Sequence, residues 1–167
     1  LAWPQVPGAP TSVSATAGDA QATVSFIAPT FAGVPPTIIN YRVISSPGGI
    51  TTTGASSPIT VTGLTNSTAY TFNVDATNEV GYGPTGVSGS ITPVAARAVF
   101  GGGRTTVAVN TIDYVNIATT GNASSFGSLT VARQSLAACA SSTRGVFGGG
   151  YTTSQEAFMD YITISTT

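Results

Sequence analysis

The chain has 167 residues and a formal net charge of −1, and only 7% of its residues are charged, against roughly 25% in ordinary soluble domains. A nearly neutral chain with no run of basic residues argues against a nucleic-acid-binding surface. No apolar stretch approaches the roughly 18–20 residues that span a bilayer, which argues against membrane insertion, and the absence of His excludes Ser-His-Asp and Cys-His catalytic sets.

The first half of the chain alternates short β-type segments with turns. Residues 1–8 are predicted to be a linker, because Pro4 and Pro7 interrupt regular structure. Seven strands in residues 9–94 favour a β-sandwich. They are predicted over Thr11–Thr16, Ala22–Ile27, Ile38–Ser46, Ile50–Thr53, Pro58–Thr62, Ala69–Asn78 and Val87–Ile91. The longest is predicted to point Tyr70, Phe72, Val74 and Ala76 inward.

The motifs of residues 9–94 resemble those of the fibronectin type III family. They include Val24-Ser25-Phe26, Tyr41-Arg42-Val43 and Gly63-Leu64, which is followed by Tyr70-x-Phe72-x-Val74. The resemblance implies an immunoglobulin-like β-sandwich that acts as a spacer or presentation module. Leu64 stands six residues before Tyr70, a spacing that resembles the tyrosine corner, in which the tyrosine hydroxyl bonds to backbone. Phe26 stands where the family usually has Trp.

The second half of the chain, residues 95–167, contains an internal repeat. Arg97-Ala-Val-Phe-Gly-Gly-Gly103 recurs as Arg144-Gly-Val-Phe-Gly-Gly-Gly150, and Asp113-Tyr114 recurs as Asp160-Tyr161, both at an offset of 47 residues. A period of this size is typical of solenoids and β-propellers. The chain holds about one and a half units. Strands are predicted over Thr111–Ala118, Ser135–Ala140 and Ala157–Ser165, with a loop over Thr119–Ser125.

The repeat resembles the kelch repeat of β-propellers. Four features carry the resemblance: a double glycine after an apolar strand, a strand aromatic after an acidic residue, a bulky aromatic, and an Arg before the next strand. The corresponding residues are Gly101 and Gly102, Gly148 and Gly149, Tyr114 and Tyr161, Phe126, and Arg133. A closed propeller needs about 4–8 blades. The partial repeat is therefore expected to obtain further strands from other chains or from residues beyond 167.

The sequence of residues 120–133, together with the preceding fibronectin-like domain, resembles virion structural and tail-fibre proteins of tailed phages, especially phages of marine cyanobacteria. This resemblance implies a non-catalytic virion component that pairs strands of residues 97–167 with copies of itself or with other virion proteins. A host-surface glycan or protein is a further expected partner. The alternative is a secreted or surface-bound bacterial adhesin or carbohydrate-binding module, for which Trp3, Tyr82 and Tyr151 are candidate aromatic contacts.

Charged side chains recur beside the repeat strands and are the main candidate site residues. They are Arg97, Arg133, Arg144, Asp113 and Asp160. We expect an Arg to pair with an Asp or with strand-end carbonyls of its own or the next repeat; the alternative is that these charges are solvated at the surface. The glycine triplets are interpreted as strand-end turns and not as a phosphate-binding loop, which requires a Lys that the chain lacks.

No catalytic residue, cofactor site or metal site is predicted, and the chain is not expected to be an enzyme. Asp19, Asp75 and Glu79 are too isolated in sequence to supply the several oxygen ligands of a calcium site. Cys139 has no second cysteine to pair with, and it is expected to be a small strand residue packed in a core.

Overall fold

The computed structural model describes residues 3–117, 120–141 and 144–164, and every regular element within them is a β-strand. The chain divides into two compact units, Leu1–Val94 (unit 1) and Ala95–Thr167 (unit 2). All sheets are antiparallel, which confirms the all-β prediction.

Unit 1 is a sandwich of two sheets. One sheet has the strand order β1–β2–β5 and the other the order β4–β3–β6–β7. The strands are β1 (Thr11–Ala17), β2 (Gln21–Ile27), β3 (Asn40–Ser46), β4 (Thr51–Gly54), β5 (Ile59–Thr62), β6 (Thr71–Thr77) and β7 (Gly86–Val87). Strand β7 is shorter than predicted, and Ile91 continues the pairing only as an isolated bridge to Tyr70.

The core of unit 1 follows from the alternation of side chains along its strands. Successive residues of a strand point to opposite faces, so every second residue enters the space between the sheets. The four residues predicted to point inward, Tyr70, Phe72, Val74 and Ala76, are all buried. Phe26 is buried as well, and its ring packs against that of Tyr41 at a centroid distance of 4.8 Å.

Tyr70 fixes the corner that precedes β6. Its hydroxyl oxygen accepts a hydrogen bond of 3.1 Å from the backbone N–H of Thr65, next to the buried Leu64. This is the bond to backbone that the spacing of Leu64 and Tyr70 implies. It lets the phenol ring stay in the apolar core while its polar atom is satisfied.

The predicted linker over residues 1–8 needs correction, because residues 5–8 belong to the sandwich. The backbone of Gln5 exchanges two hydrogen bonds with Val34, of 3.1 and 2.9 Å, and Gly8 donates one of 2.8 Å to the carbonyl of Phe31. Pro7 is fully buried. Proline prevents regular strand pairing at its own position, but its ring is apolar, and here that ring packs in the sandwich.

Unit 2 consists of two three-stranded sheets. The first sheet has the order β10–β9–β8, and the second has the order β11–β12–β13. The strands are β8 (Arg97–Gly101), β9 (Thr111–Asn116), β10 (Ser124–Ser128), β11 (Ala137–Ala140), β12 (Arg144–Gly148) and β13 (Met159–Thr163). Ile112, Leu129 and Phe147 form the buried centre of this unit.

The sequence repeat is also a repeat of backbone geometry. Gly102 has a φ of 67° and Gly149 a φ of 66°, a left-handed conformation that favours glycine. The N–H of Gly102 donates to the carbonyl of Thr111 at 2.9 Å, and the N–H of Gly149 donates to the carbonyl of Phe158 at the same distance. Each glycine turn therefore ties the end of one strand to the start of the next.

Two predictions for unit 2 were wrong. The end of the predicted loop over Thr119–Ser125 belongs to β10, which begins at Ser124 and shifts its register at Gly127. Cys139 is exposed and not packed in a core, because it lies in β11, an edge strand whose four residues are all exposed. The predicted strand ends at Ala118 and Ser165 lie outside the described residues.

Replacing Tyr70 with Phe is expected to lower the unfolding free energy of unit 1 by about 1 kcal/mol, because the N–H of Thr65 loses its acceptor while the ring stays in place. Urea unfolding followed by the amide NMR signals of β6 measures this change. Tyr82→Phe, which removes an exposed hydroxyl, is the control and should leave stability unchanged. Equal stabilities of the two variants would contradict the role assigned to Tyr70.

Candidate functional site

A buried ion pair joins the two repeats of unit 2. Arg133, in the segment between β10 and β11, is completely buried, and its Nη2 lies 2.8 Å from Oδ2 of Asp160 in β13. The same Nη2 donates to the carbonyl of Phe147 at 3.3 Å, and Nη1 donates to the carbonyl of Val131 at 3.5 Å. The two Nη atoms therefore meet one carboxylate and two carbonyls in place of water, whereas the buried Nε has no hydrogen-bond partner among the described residues.

The strand register of the second sheet places the acceptors of Arg133 side by side. Phe147 in β12 stands directly opposite Asp160 in β13. The backbone N–H of Thr130 donates to the other carboxylate oxygen of Asp160, Oδ1, at 3.2 Å. The segment that contains Thr130 and Arg133 thus binds both oxygens of one carboxylate, which ties the end of the first repeat to the second.

The surroundings of Asp160 keep it ionised. Burial alone would raise the pKa of its carboxyl, but hydrogen bonds from Thr130 and Arg133, together with the positive charge of Arg133, hold the pKa below its ordinary value of 3.8. The arrangement can therefore act as a charge-assisted clamp at neutral pH.

The other two predicted arginines make a different contact, and the repeat preserves it. The guanidinium of Arg97 lies 4.6 Å from the ring centre of Tyr114, and that of Arg144 lies 5.1 Å from the ring centre of Tyr161. Arg97 also donates to the carbonyl of Ile164 at 3.3 Å. Arg97 and Arg144 thus cover the strand aromatics of their own repeats, a cation–π contact that the sequence did not predict.

Asp113 occupies the position of Asp160 in the first repeat, but it lacks the same partner. The residue that stands one period before Arg133 is Gly86, which lies in unit 1. Within residues 3–117, 120–141 and 144–164, no ion pair includes Asp113. Of the predicted pairings of Arg with Asp, the described residues show the one between Arg133 and Asp160.

The double glycines differ in surroundings between the two repeats. A Cβ added at Gly101 would lie 2.9 Å from the ring of Phe147, and one added at Gly102 would lie 2.6 Å from the carbonyl oxygen of Arg133. A Cβ at Gly148, the counterpart of Gly101, would meet no atom within 4 Å. The first pair is thus held to glycine by close packing, whereas Gly148 faces open space.

Sequence analysis missed an ion pair in unit 1. Arg42 binds the buried Asp75 through Nη2 at 2.7 Å and through Nε at 3.2 Å, and its guanidinium lies 3.8 Å from the ring centre of Tyr82. The two charges stand opposite each other in β3 and β6. Pairing the two longest predicted strands in register would have brought them together.

The part of the chain that the structure describes contains neither a metal-binding group nor a membrane-spanning helix. No group of three His, Cys, Asp or Glu side chains is placed to hold a metal ion there, and no helix there is long and apolar enough to cross a membrane. An open cavity of 610 Å³ lies beside Tyr151 and is also lined by Arg104, Gln134 and Thr152. Val107 and Ala108 line it as well, so the cavity combines apolar and polar side chains.

Replacing Arg133 with Met is expected to lower the unfolding free energy of unit 2 by about 3 kcal/mol, because the carboxylate of Asp160 stays buried without its cation. Urea unfolding followed by amide NMR signals of β12 and β13 measures the loss. Arg104→Met, which removes an exposed guanidinium, is the matched control. An unchanged stability of the Arg133 variant would mean that the ion pair does not hold the repeats together.

The stability of unit 2 is expected to fall as the pH drops below about 4. The unfolded chain binds a proton at Asp160 more readily than the folded chain does, because the pKa of Asp160 is lower in the folded chain. The stabilisation is therefore present above the ordinary pKa of the carboxyl and is lost as the pH falls through its pKa in the folded chain. Thermal melting of unit 2 between pH 6 and 2 should show a smaller dependence on pH in Asp160→Asn. Parallel curves for the two proteins would refute this assignment.

Comparisons with known proteins concern unit 1. No curated protein sequence matches the chain. Among solved structures, "Crystal structure of domains A168-A170 from titin" is 22% identical with a TM-score of 0.49, and the match covers 53% of this chain and 32% of that chain. "Titin kinase and its flanking domains" is 22% identical with a TM-score of 0.47, and the match covers 53% and 17%. The chain thus spans about a third or less of these proteins.

The family model described as "Fibronectin type III domain" matches residues 8–92, just over half of the chain. The matched range contains the seven strands of the sandwich and the corner formed by Leu64 and Tyr70. The chain belongs to the fibronectin type III family.

Proposed function

We propose that this chain is a non-catalytic structural component of an extracellular assembly. The fibronectin type III unit is the spacer, and unit 2 is the part that joins to other chains. The observation that carries the proposal is that β8 lies at the edge of the first sheet of unit 2, whereas its counterpart β12 lies between two strands of the second sheet.

The offset of 47 residues makes β12 the counterpart of β8 and β13 the counterpart of β9. Strand β12 lies between β11 and β13, whereas its counterpart β8 lies at the edge of its sheet. Strand β9 lies between β8 and β10, whereas its counterpart β13 lies at an edge. Edge strands offer backbone donors and acceptors to an added strand, and β13 carries neither the Lys nor the Pro that often blocks such pairing.

A cavity supports strand addition at β8. It has a volume of 290 Å³ and is lined by Ala98 and Val99 of β8 and by Ala138 and Ala140 of β11. Arg97, Phe147 and Ile164 line it as well, and it leaves space beside β8 for part of an added strand. We therefore infer that other chains complete the sheets of unit 2 by β-strand addition.

We further propose that this assembly is the virion of a tailed phage, in which the chain forms a fibre or other appendage built from kelch-like repeats. The resemblance of residues 120–133 to phage tail-fibre sequences and the order of the two domains favour it. The partners would be copies of this chain or other virion proteins, and a host-surface glycan or protein would be bound at the exposed end of the appendage.

The alternative is a secreted or cell-surface bacterial carbohydrate-binding module. The exposed Tyr151 favours it, because this side chain lines the 610 Å³ cavity, and aromatic rings commonly stack on sugars. The other two candidate aromatics give less support. Trp3 is exposed but does not line this cavity, and Tyr82 is covered on one side by the guanidinium of Arg42.

The solution mass of the chain is expected to exceed that of a monomer and to rise with concentration, because incomplete sheets bind strands of other copies. Sedimentation equilibrium over about a hundredfold range of concentration measures this association. Unit 1 alone, residues 1–94, has its own closed core and should remain monomeric. A whole chain that is monomeric throughout, and that binds a glycan in a manner lost in Tyr151→Ala, would replace the assembly proposal with the carbohydrate-binding alternative.

A further inference from the structure

The two repeats of unit 2 bury the same phenylalanine to very different extents. Phe147 in β12 is 3% exposed, whereas Phe100, its counterpart in β8, is 60% exposed. Phe147 is buried because its ring packs over Gly101 on the first sheet. None of the residues that the structure describes covers Phe100, on the opposite face of the first sheet, in the same way.

A second pair of equivalent residues, on the glycine faces of the two sheets, also differs in burial. Ile112 in β9 is 2% exposed, and Met159, its counterpart in β13, is 73% exposed. Ile112 stands opposite Gly101, and Met159 stands opposite Gly148, so each apolar side chain shares a sheet face with a glycine. Phe147, from the second sheet, covers the glycine face of the first sheet. The glycine face of the second sheet is open.

Inside unit 2, the phenylalanine face of the second sheet packs on the glycine face of the first. The phenylalanine face of the first sheet and the glycine face of the second sheet have no such partner among the described residues. We name the surface around Phe100 and Asp113, which stand opposite each other in β8 and β9, the Phe100 face. We name the surface around Gly148 and Met159 the Gly148 face. At Gly148 a side chain would meet no atom within 4 Å, which leaves room for an aromatic ring like the one that Phe147 places on Gly101.

We propose that unit 2 binds a second copy of this chain head to tail, with the Phe100 face of one copy packed on the Gly148 face of the other. The partner is a second copy because every copy carries both faces, and because their internal counterparts already pack together within one chain. This inference rests on the proposed function, in that it names the partner and the surface through which the assembly grows. It adds a contact between sheet faces to the pairing of strand edges.

The proposed contact is heterologous, so each bound copy presents a fresh face to the next one. Such contacts generate rings when the rotation closes and filaments when it does not. The contact buries the carboxylate of Asp113, which no ion pair among the described residues includes, so the association is weaker than the internal packing and depends on concentration.

The test uses one variant of each face in the whole chain. Phe100→Ser removes an exposed ring, and Gly148→Val fills the open space with a residue that strands accept. Each change is expected to weaken association in sedimentation equilibrium by roughly tenfold or more. Val107→Ser, which removes a similarly exposed apolar side chain away from both faces, is the control and should associate like the unchanged chain.

Mixing the variants separates a head-to-tail contact from other kinds of association. The Phe100→Ser chain keeps its Gly148 face, and the Gly148→Val chain keeps its Phe100 face, so an equimolar mixture should recover the association that each variant alone has lost. The double variant should recover none of it when it is mixed with either single variant. Asp113→Asn is expected to strengthen association, because it removes the carboxylate that has no Arg in the contact between copies.

The outcomes distinguish this inference from the proposed function. Association of the unchanged chain that neither face variant weakens would overturn the head-to-tail contact while leaving strand pairing in place. A chain that is monomeric at every concentration would overturn both. Thermal melting shows whether each variant is folded; if Gly148→Val is not, Met159→Ser replaces it as the variant of the Gly148 face, and the same loss of association is expected.

Discussion

The ion pair between Arg133 and Asp160 is the interaction on which unit 2 depends. Burying an arginine completely is costly, and the cost is offset only because a carboxylate and two carbonyls take the place of water around it. The arginine follows the first repeat and the aspartate lies in the second. Their pairing therefore joins the two repeats, and Phe147 is buried between the two sheets.

The two units differ in how far they bury their apolar side chains. The fibronectin type III unit places two sheets against each other and closes its core with residues of its own, from Val24 to Ala76. Unit 2 closes only the space between its two sheets and leaves Phe100 and Met159 exposed on the outer faces. The closed core of unit 1 and the exposed apolar side chains of unit 2 are the features on which their proposed roles, as spacer and as assembling part, rest.

Some features of both units could be predicted from residues that are close in sequence or repeated in it. Alternation placed Phe72 and Val74 in the core, and the spacing of Leu64 and Tyr70 indicated the corner, because both depend on local geometry. The pairing of Arg42 with Asp75 was missed, because it depends on the register of two strands. The exposure of Cys139 was missed because sequence does not show which strand lies at an edge.

The sequence by itself determined the all-β class, the fibronectin type III family of residues 8–92 and the 47-residue repeat, because these follow from periodic patterns along the chain. Only the tertiary structure decided which aspartate pairs with Arg133 and which phenylalanine is covered. Asp113 and Asp160, like Phe100 and Phe147, stand in nearly identical sequence, and what separates them is the presence of a neighbouring sheet. Burial and ion pairing are properties of what packs against a residue, and the local sequence does not contain that information.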